Sequence, residues 1–238
     1  MTHPIAPPRG LAHVTGALPR VLSGMLLMVA TSCWLYSQSL SIFRGWAVLV
    51  QGLSTLFGMP VSVTMSFQGT LAAVVQAPYL VMDMQQSTLI AIALAVGCLA
   101  LSFAVPAARV PARYFLRVVA VVLALPACGY LLVEKPQAFD LENHMAQLFK
   151  MGYWFVLVVP LVYAVTAFIL PGNLARRFAL VLLAVLFFYV SVPILALLHM
   201  HAVLLAGPAI APALSVFFGI LILSIELIAF YGLLASQE

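Results

Sequence analysis

Charge is what this sequence has least of. Only 7% of its 238 residues are charged, six of them acidic and ten Lys or Arg, and 65% are hydrophobic. Soluble domains carry about a quarter charged residues, so a water-soluble globular fold is excluded. No cluster of Lys and Arg interleaved with aromatics occurs, and nucleic acid is excluded as a partner. Cysteine is scarce too. Cys33, Cys98 and Cys128 all fall inside apolar runs, and an odd number buried in apolar sequence is no disulfide framework but a set of packing residues. Nucleotide-binding loops, haem-attachment signatures, HExxH and GxSxG are missing, so neither a catalytic constellation nor a cofactor is read from the chain. No internal repeat marks an inverted-repeat transporter.

What remains is long apolar sequence with short connectors, the pattern of an all-α polytopic membrane protein. Residues 1–18, with several Pro and Gly and no periodicity, read as a disordered cytoplasmic tail. Residues 19–238 form the membrane domain. The spacing predicts six transmembrane helices at about 19–38, 87–107, 118–133, 151–170, 178–200 and 213–235, each near the roughly 20 residues a bilayer core requires. The first span is read as retained, because no small-x-small cleavage site follows it. Asp140 reads as the N-cap of a short helix leading into the fourth span. Six spans put both termini on one side. Arg9, Arg20, Arg109, Arg113, Arg117, Arg176 and Arg177 fall there, and Arg44, Lys135 and Lys150 fall opposite. Seven of ten on the terminal side places both termini in the cytoplasm of a bacterial inner membrane.

One stretch does not fit the membrane pattern, the outer insert 40–86. Phe43, Trp46, Val50, Leu53 and Phe57 follow the 3,4,3,4 spacing of one helix face, with Arg44, Gln51, Ser54 and Thr55 off the stripe. After Gly58–Pro60 the period becomes two. Val61, Val63, Met65 and Phe67 alternate with Ser62, Thr64, Ser66 and Gln68, then Gly69-Thr70 leads to a second apolar run. The reading is an amphipathic helix on the membrane surface followed by a β-hairpin. A hairpin alone is marginal in water and must rest on something. The stripe is therefore expected to dock a partner, either another membrane protein or an exported one, with membrane lipid as the general surround.

Single residues add less. Glu226 is the one acidic group well inside a span, where a carboxylate is costly and faces the bundle, protonated or paired. It reads as a packing group, a pair for a partner's basic residue, or the centre of a proton-coupled transporter. His199 and His201 sit two apart at the outer end of the fifth span, on opposite sides of a helix. Asp83, Asp140, Glu142 and His144 share that side, but no ligand spacing is present and no metal is assigned. Tyr79, Trp46, Tyr153 and Trp154 fit an interfacial aromatic belt.

The run from Trp46 to Phe57, Gly58-Met59-Pro60-Val61, an alternating strand, Gly69, and a strand leading to Tyr79-Leu80-Val81-Met82-Asp83 resembles the outward-facing segment of exosortases. These bacterial membrane proteins process C-terminal sorting signals of exported proteins. In that family the next span opens with a Cys-Ser-Gly-type nucleophile motif. Here the matching place reads Met82-Asp83-Met84-Gln85-Gln86-Ser87, without the cysteine. Over these 45 or so residues the resemblance implies a non-enzymatic accessory protein of such a system. The alternative, a cysteine transpeptidase of exosortase type, would have to use Cys33, Cys98 or Cys128.

Overall fold

The computed structural model describes residues 18–58, 62–67, 71–76, 83–132, 139–166 and 174–235. The 1–18 tail lies outside these except for its last residue. Helices α1 (Leu18–Ser37) and α2 (Ser39–Leu56) are joined at Gln38. Strands β1 (Ser62–Phe67) and β2 (Leu71–Gln76) pair antiparallel, Ser62 opposite Gln76 and Phe67 opposite Leu71. Then follow α3 (Met84–Ala104), α4 (Val110–Leu132), α5 (Leu141–Thr166) and α6 (Leu174–Ala206). A 3-10 turn, Pro208–Ile210, leads into α7 (Ala211–Leu214), a π-helical segment Ser215–Leu221, and α8 (Ile222–Ala235).

Five helical stretches are long and apolar enough to cross a membrane, and the bent α1–α2 pair makes a sixth if it counts as one span. The chain is a helical multi-pass membrane protein. Its surface agrees: Leu26, Val96, Phe103 and Leu132 are all more than half exposed, an apolar coat that suits lipid rather than water. Helix α6 has 33 residues, roughly 50 Å at 1.5 Å per residue, against a hydrocarbon core of about 30 Å. Tilt alone, at most about 40°, does not absorb the difference, so α6 extends beyond the hydrocarbon.

The packing divides into two cores. The larger one is built from α1, α2, α5 and α6 around Phe43, Trp46, Phe149, Val156 and Phe188. The smaller joins α3 and α4 to the segment after α6 through Ala91, Ala95, Ala127, Ala209 and Ala213. Small side chains let these backbones approach closely. The same device brings α5 to α6, where a Cβ on Gly152 would collide with Val192. At the α3–α4 corner Arg113 Nε donates to the Val105 carbonyl at 2.7 Å, and the Arg117 guanidinium lies 5.3 Å from the Phe103 ring centre. Both arginines belong to α4, which starts at Val110 rather than at 118. Likewise the expected short helix after Asp140 and the fourth span are one continuous α5, and Asp140 Oδ1 accepts the Asn143 N–H at 3.0 Å as its cap.

The main correction concerns α2. Its apolar stripe does not face lipid or a partner along its whole length, while Arg44, Gln51 and Thr55 on the opposite face are exposed. The helix bends 66° from α1 and packs along α6, with Phe43, Trp46 and Val50 all 2% exposed or less. The stripe was read rightly as one face, but that face is spent on the chain's own bundle.

Candidate functional site

Side-chain hydrogen bonds, one of them to a carbonyl freed by a proline, seat α1 and α2. Pro193 lies inside α6 and Pro160 inside α5. A proline has no N–H, so the carbonyl four residues earlier loses its helical donor. For Pro193 that carbonyl belongs to Tyr189, and Trp46 Nε1–H donates to it at 2.8 Å. The indole is also fixed by rings, Phe43 at 5.4 Å and Phe149 at 5.9 Å between centres. On α5, Ser32 Oγ of α1 donates to the Leu157 carbonyl at 3.0 Å, an added tie rather than a replacement for the donor Pro160 lacks, since the carbonyl four residues before Pro160 is that of Val156. Tyr153 Oη then donates at 3.3 Å to the Tyr36 carbonyl, near the α1–α2 bend. An unpaired carbonyl in a membrane interior is costly, and the three donors together bind the bent pair to α5 and α6.

Held this way, α2 runs toward the end of the bundle where α5 begins and α6 ends, here termed the cap end. Leu53 and Phe57, the last two stripe residues, line an apolar cavity of about 190 Å³ with Ile194, Leu197, Leu198 and His201. Phe57 is largely exposed. The five residues expected to dock a partner thus divide. Phe43, Trp46 and Val50 are buried in the core, while Leu53 and Phe57 wall a pocket. Strand β2 runs beside α5, and both strands approach α2.

The second feature of the cap end was not anticipated as a pair. His144, one turn into α5, and His199, near the end of α6, meet Nε2 to Nε2 at 2.8 Å. Their ring centres are 5.0 Å apart and the planes differ by 30°, so the rings meet head-on rather than stacked. His199 is fully buried, with Phe218 edge-on to it at 6.2 Å. Phe139 lies 5.2 Å from His144. Ser215 Oγ, at the start of the π-helical segment, is 3.4 Å from His144 Nε2 and donates to the Ala211 carbonyl at 3.0 Å. In that segment the Ile222 N–H bonds to Phe217, five residues back, the wider turn that often marks functional positions. His201 faces the pocket and takes no part in the pair.

The chemistry open to this cluster is narrow. Ser215 and His144 do not form a nucleophile and base, because the nitrogen that would take the serine proton is the one engaged with His199. A metal ion on the line between the two nitrogens needs them roughly 4 Å apart at ordinary metal–imidazole distances; at 2.8 Å there is room for a proton only. Among the described residues no three His, Cys, Asp or Glu side chains converge.

Elsewhere, Glu226 is half-buried on α8 with Oε2 enclosed and lacking a hydrogen-bond partner, and Ser191 of α6 is its neighbour. Cys33, Cys98 and Cys128 are unpaired and lie on α1, α3 and α4. Ser87 closes the end of α6: its Oγ donates to the Ala206 carbonyl at 3.0 Å and accepts the Ala209 N–H at 2.8 Å. Gly207 between them has φ 85°, a left-handed conformation suited to glycine.

No protein-family model, curated protein or solved structure matches this chain. Its class, a helical multi-pass membrane protein, therefore rests on the composition and the helices themselves.

Proposed function

We propose that this protein is a non-enzymatic accessory subunit of the bacterial inner membrane that docks an exported or membrane-bound protein at its cap end. The cap end faces outward and both termini face the cytoplasm, as the seven-of-ten arginine and lysine bias directs. The observation that carries the reading is the apolar pocket walled by Leu53, Phe57 and Leu198 between α2 and α6. The pocket takes an apolar anchor of the partner. The free edges of the β1–β2 sheet offer main-chain pairing to an extended segment. The resemblance of this same segment to exosortases agrees with a partner carrying a sorting signal, and the missing cysteine agrees with a helper rather than the processing enzyme.

The test is purification of the tagged protein from its native membrane in mild detergent, with companions identified by mass spectrometry. Leu198→Trp, which fills the pocket, is expected to lose a stoichiometric companion that the parent protein retains. Recovery of the same companion at the same ratio with the pocket filled refutes docking there. Purification of folded parent protein without a companion removes the accessory reading altogether.

A further inference from the structure

One N–H···N hydrogen bond joins His144 to His199, and the contacts of Ser215 bear on which ring carries the hydrogen. Ser215 Oγ gives its own hydrogen to the Ala211 carbonyl, so toward His144 it can only accept. His144 Nε2 therefore carries the hydrogen and donates it to His199 Nε2 at 2.8 Å. His199 must then hold its hydrogen on Nδ1, which is buried and has no well-formed hydrogen bond, with the Leu214 carbonyl nearby. Both imidazoles are neutral in this arrangement. One N–H···N bond joins the start of α5 to the end of α6, and the Ser215 contact ties both to the π-helical segment.

A further proton on the closed pair is disfavoured by its surroundings. His144 is in the first turn of α5, where the helix dipole opposes positive charge. Among the described residues, the groups facing the pair offer no counter-charge. From α6 comes only His199, with His201 turned to the pocket; from the segment after α6, Ser215 and Phe218; before α5, the Phe139 ring. Strands β1 and β2 contain no titratable residue. Glu226 is 11 positions beyond Ser215 on α8. The available carboxylates, Asp140 and Glu142, are exposed on α5 itself, at its outer turn. Protonation of His144 leaves its N–H···N bond to His199 in place but sets a full charge beside the Phe139 ring and the α5 N-terminus, with no carboxylate against it, and partial burial of such a charge is costly. His144, which is half-buried at the bundle end, escapes that cost by swinging out toward water and those carboxylates.

We propose that His144 and His199 form an acid-released latch: neutral, it holds α5 to α6 and the π-helical segment, and proton uptake by His144 opens the cap end. The latch stands independently of the docking reading, since it uses neither the pocket nor the hairpin.

Hydrogen exchange across the first turns of α5, corrected for the intrinsic pH dependence of exchange, reads it directly in the intact detergent-solubilised protein. At about pH 7.5 the parent protein is expected to protect this segment, and at about pH 5, below the ordinary imidazole range, protection falls at least tenfold. His144→Gln keeps an N–H donor for His199 but cannot titrate, so it stays protected at both values. His199→Leu removes the acceptor and is unprotected at both. Equal protection of the parent at the two pH values overturns the latch, and so does acid opening of His144→Gln to the parent's extent. That second comparison decides the matter even if His199→Leu fails to fold.

Discussion

Removing the indole N–H while keeping an aromatic ring, Trp46→Phe, isolates the bond that seats α2. The Tyr189 carbonyl has lost its helical donor to Pro193, and Trp46 Nε1 replaces it at 2.8 Å in a fully buried position. The substitution leaves that carbonyl unpaired, at a cost of about 1–3 kcal/mol by the general rule. Interhelical hydrogen bonds measured in bilayers contribute less, roughly 0.6 and at most about 1.7 kcal/mol. The smaller ring also leaves a cavity, which adds to the measured loss. A double-mutant cycle removes that confusion. Pro193→Ala restores an N–H four residues after Tyr189, so in its background Trp46→Phe costs only the packing. The difference between the two costs is expected at about 1 kcal/mol, in the direction that Trp46 matters less when residue 193 is alanine. The assay is reversible unfolding in mixed micelles with rising SDS, followed by far-ultraviolet circular dichroism so that the lost fluorophore does not bias the signal. A cost of Trp46→Phe that agrees in the two backgrounds within about 0.5 kcal/mol, the usual limit of additivity, refutes the claim that the tryptophan stands in for the proline's missing donor.

Two further outcomes follow from buried polar groups. Ser87→Ala removes a donor and an acceptor at once, from the Ala206 carbonyl and the Ala209 N–H, and is expected to cost about 1–3 kcal/mol in the same unfolding assay; a loss below about 0.5 kcal/mol shows that the α6 end does not depend on it. Glu226→Gln keeps the shape and a hydrogen-bonding partner for Ser191 while removing the ionisable group. If Glu226 is a packing group, the variant folds and retains its companions at every pH, and pH-dependent function abolished by this change alone revives a proton-coupled role.

The sequence was most informative where one helix face or one turn decides the structure, and least where two distant segments must meet. Spans and their approximate limits follow from hydropathy, and the Asp140 cap from its position before an apolar-periodic run. The stripe from Phe43 to Phe57 was legible as a face, but periodicity states that a face is buried and not against what. Its partner is 143 residues away in sequence, as the Trp46–Tyr189 bond measures. The clue that existed was Pro193 in the middle of an apolar span, which requires an outside donor for the carbonyl four residues earlier. The histidine pair had a clue as well. His144 and His199 each stand 27 residues from Pro171-Gly172 (171 − 144 and 199 − 172), where hydropathy alone ends the fourth span, and in an antiparallel pair of spans equidistant positions lie level with one another. Gly152 and Val192, at nearly equal distances from that dipeptide, meet for the same reason. Placing His144 on the same side as His199 and His201 was correct as far as it went, but without the distances from the connector it did not single out the pair. What no spacing reveals is the ring geometry, the head-on approach of the two Nε2 atoms at 2.8 Å.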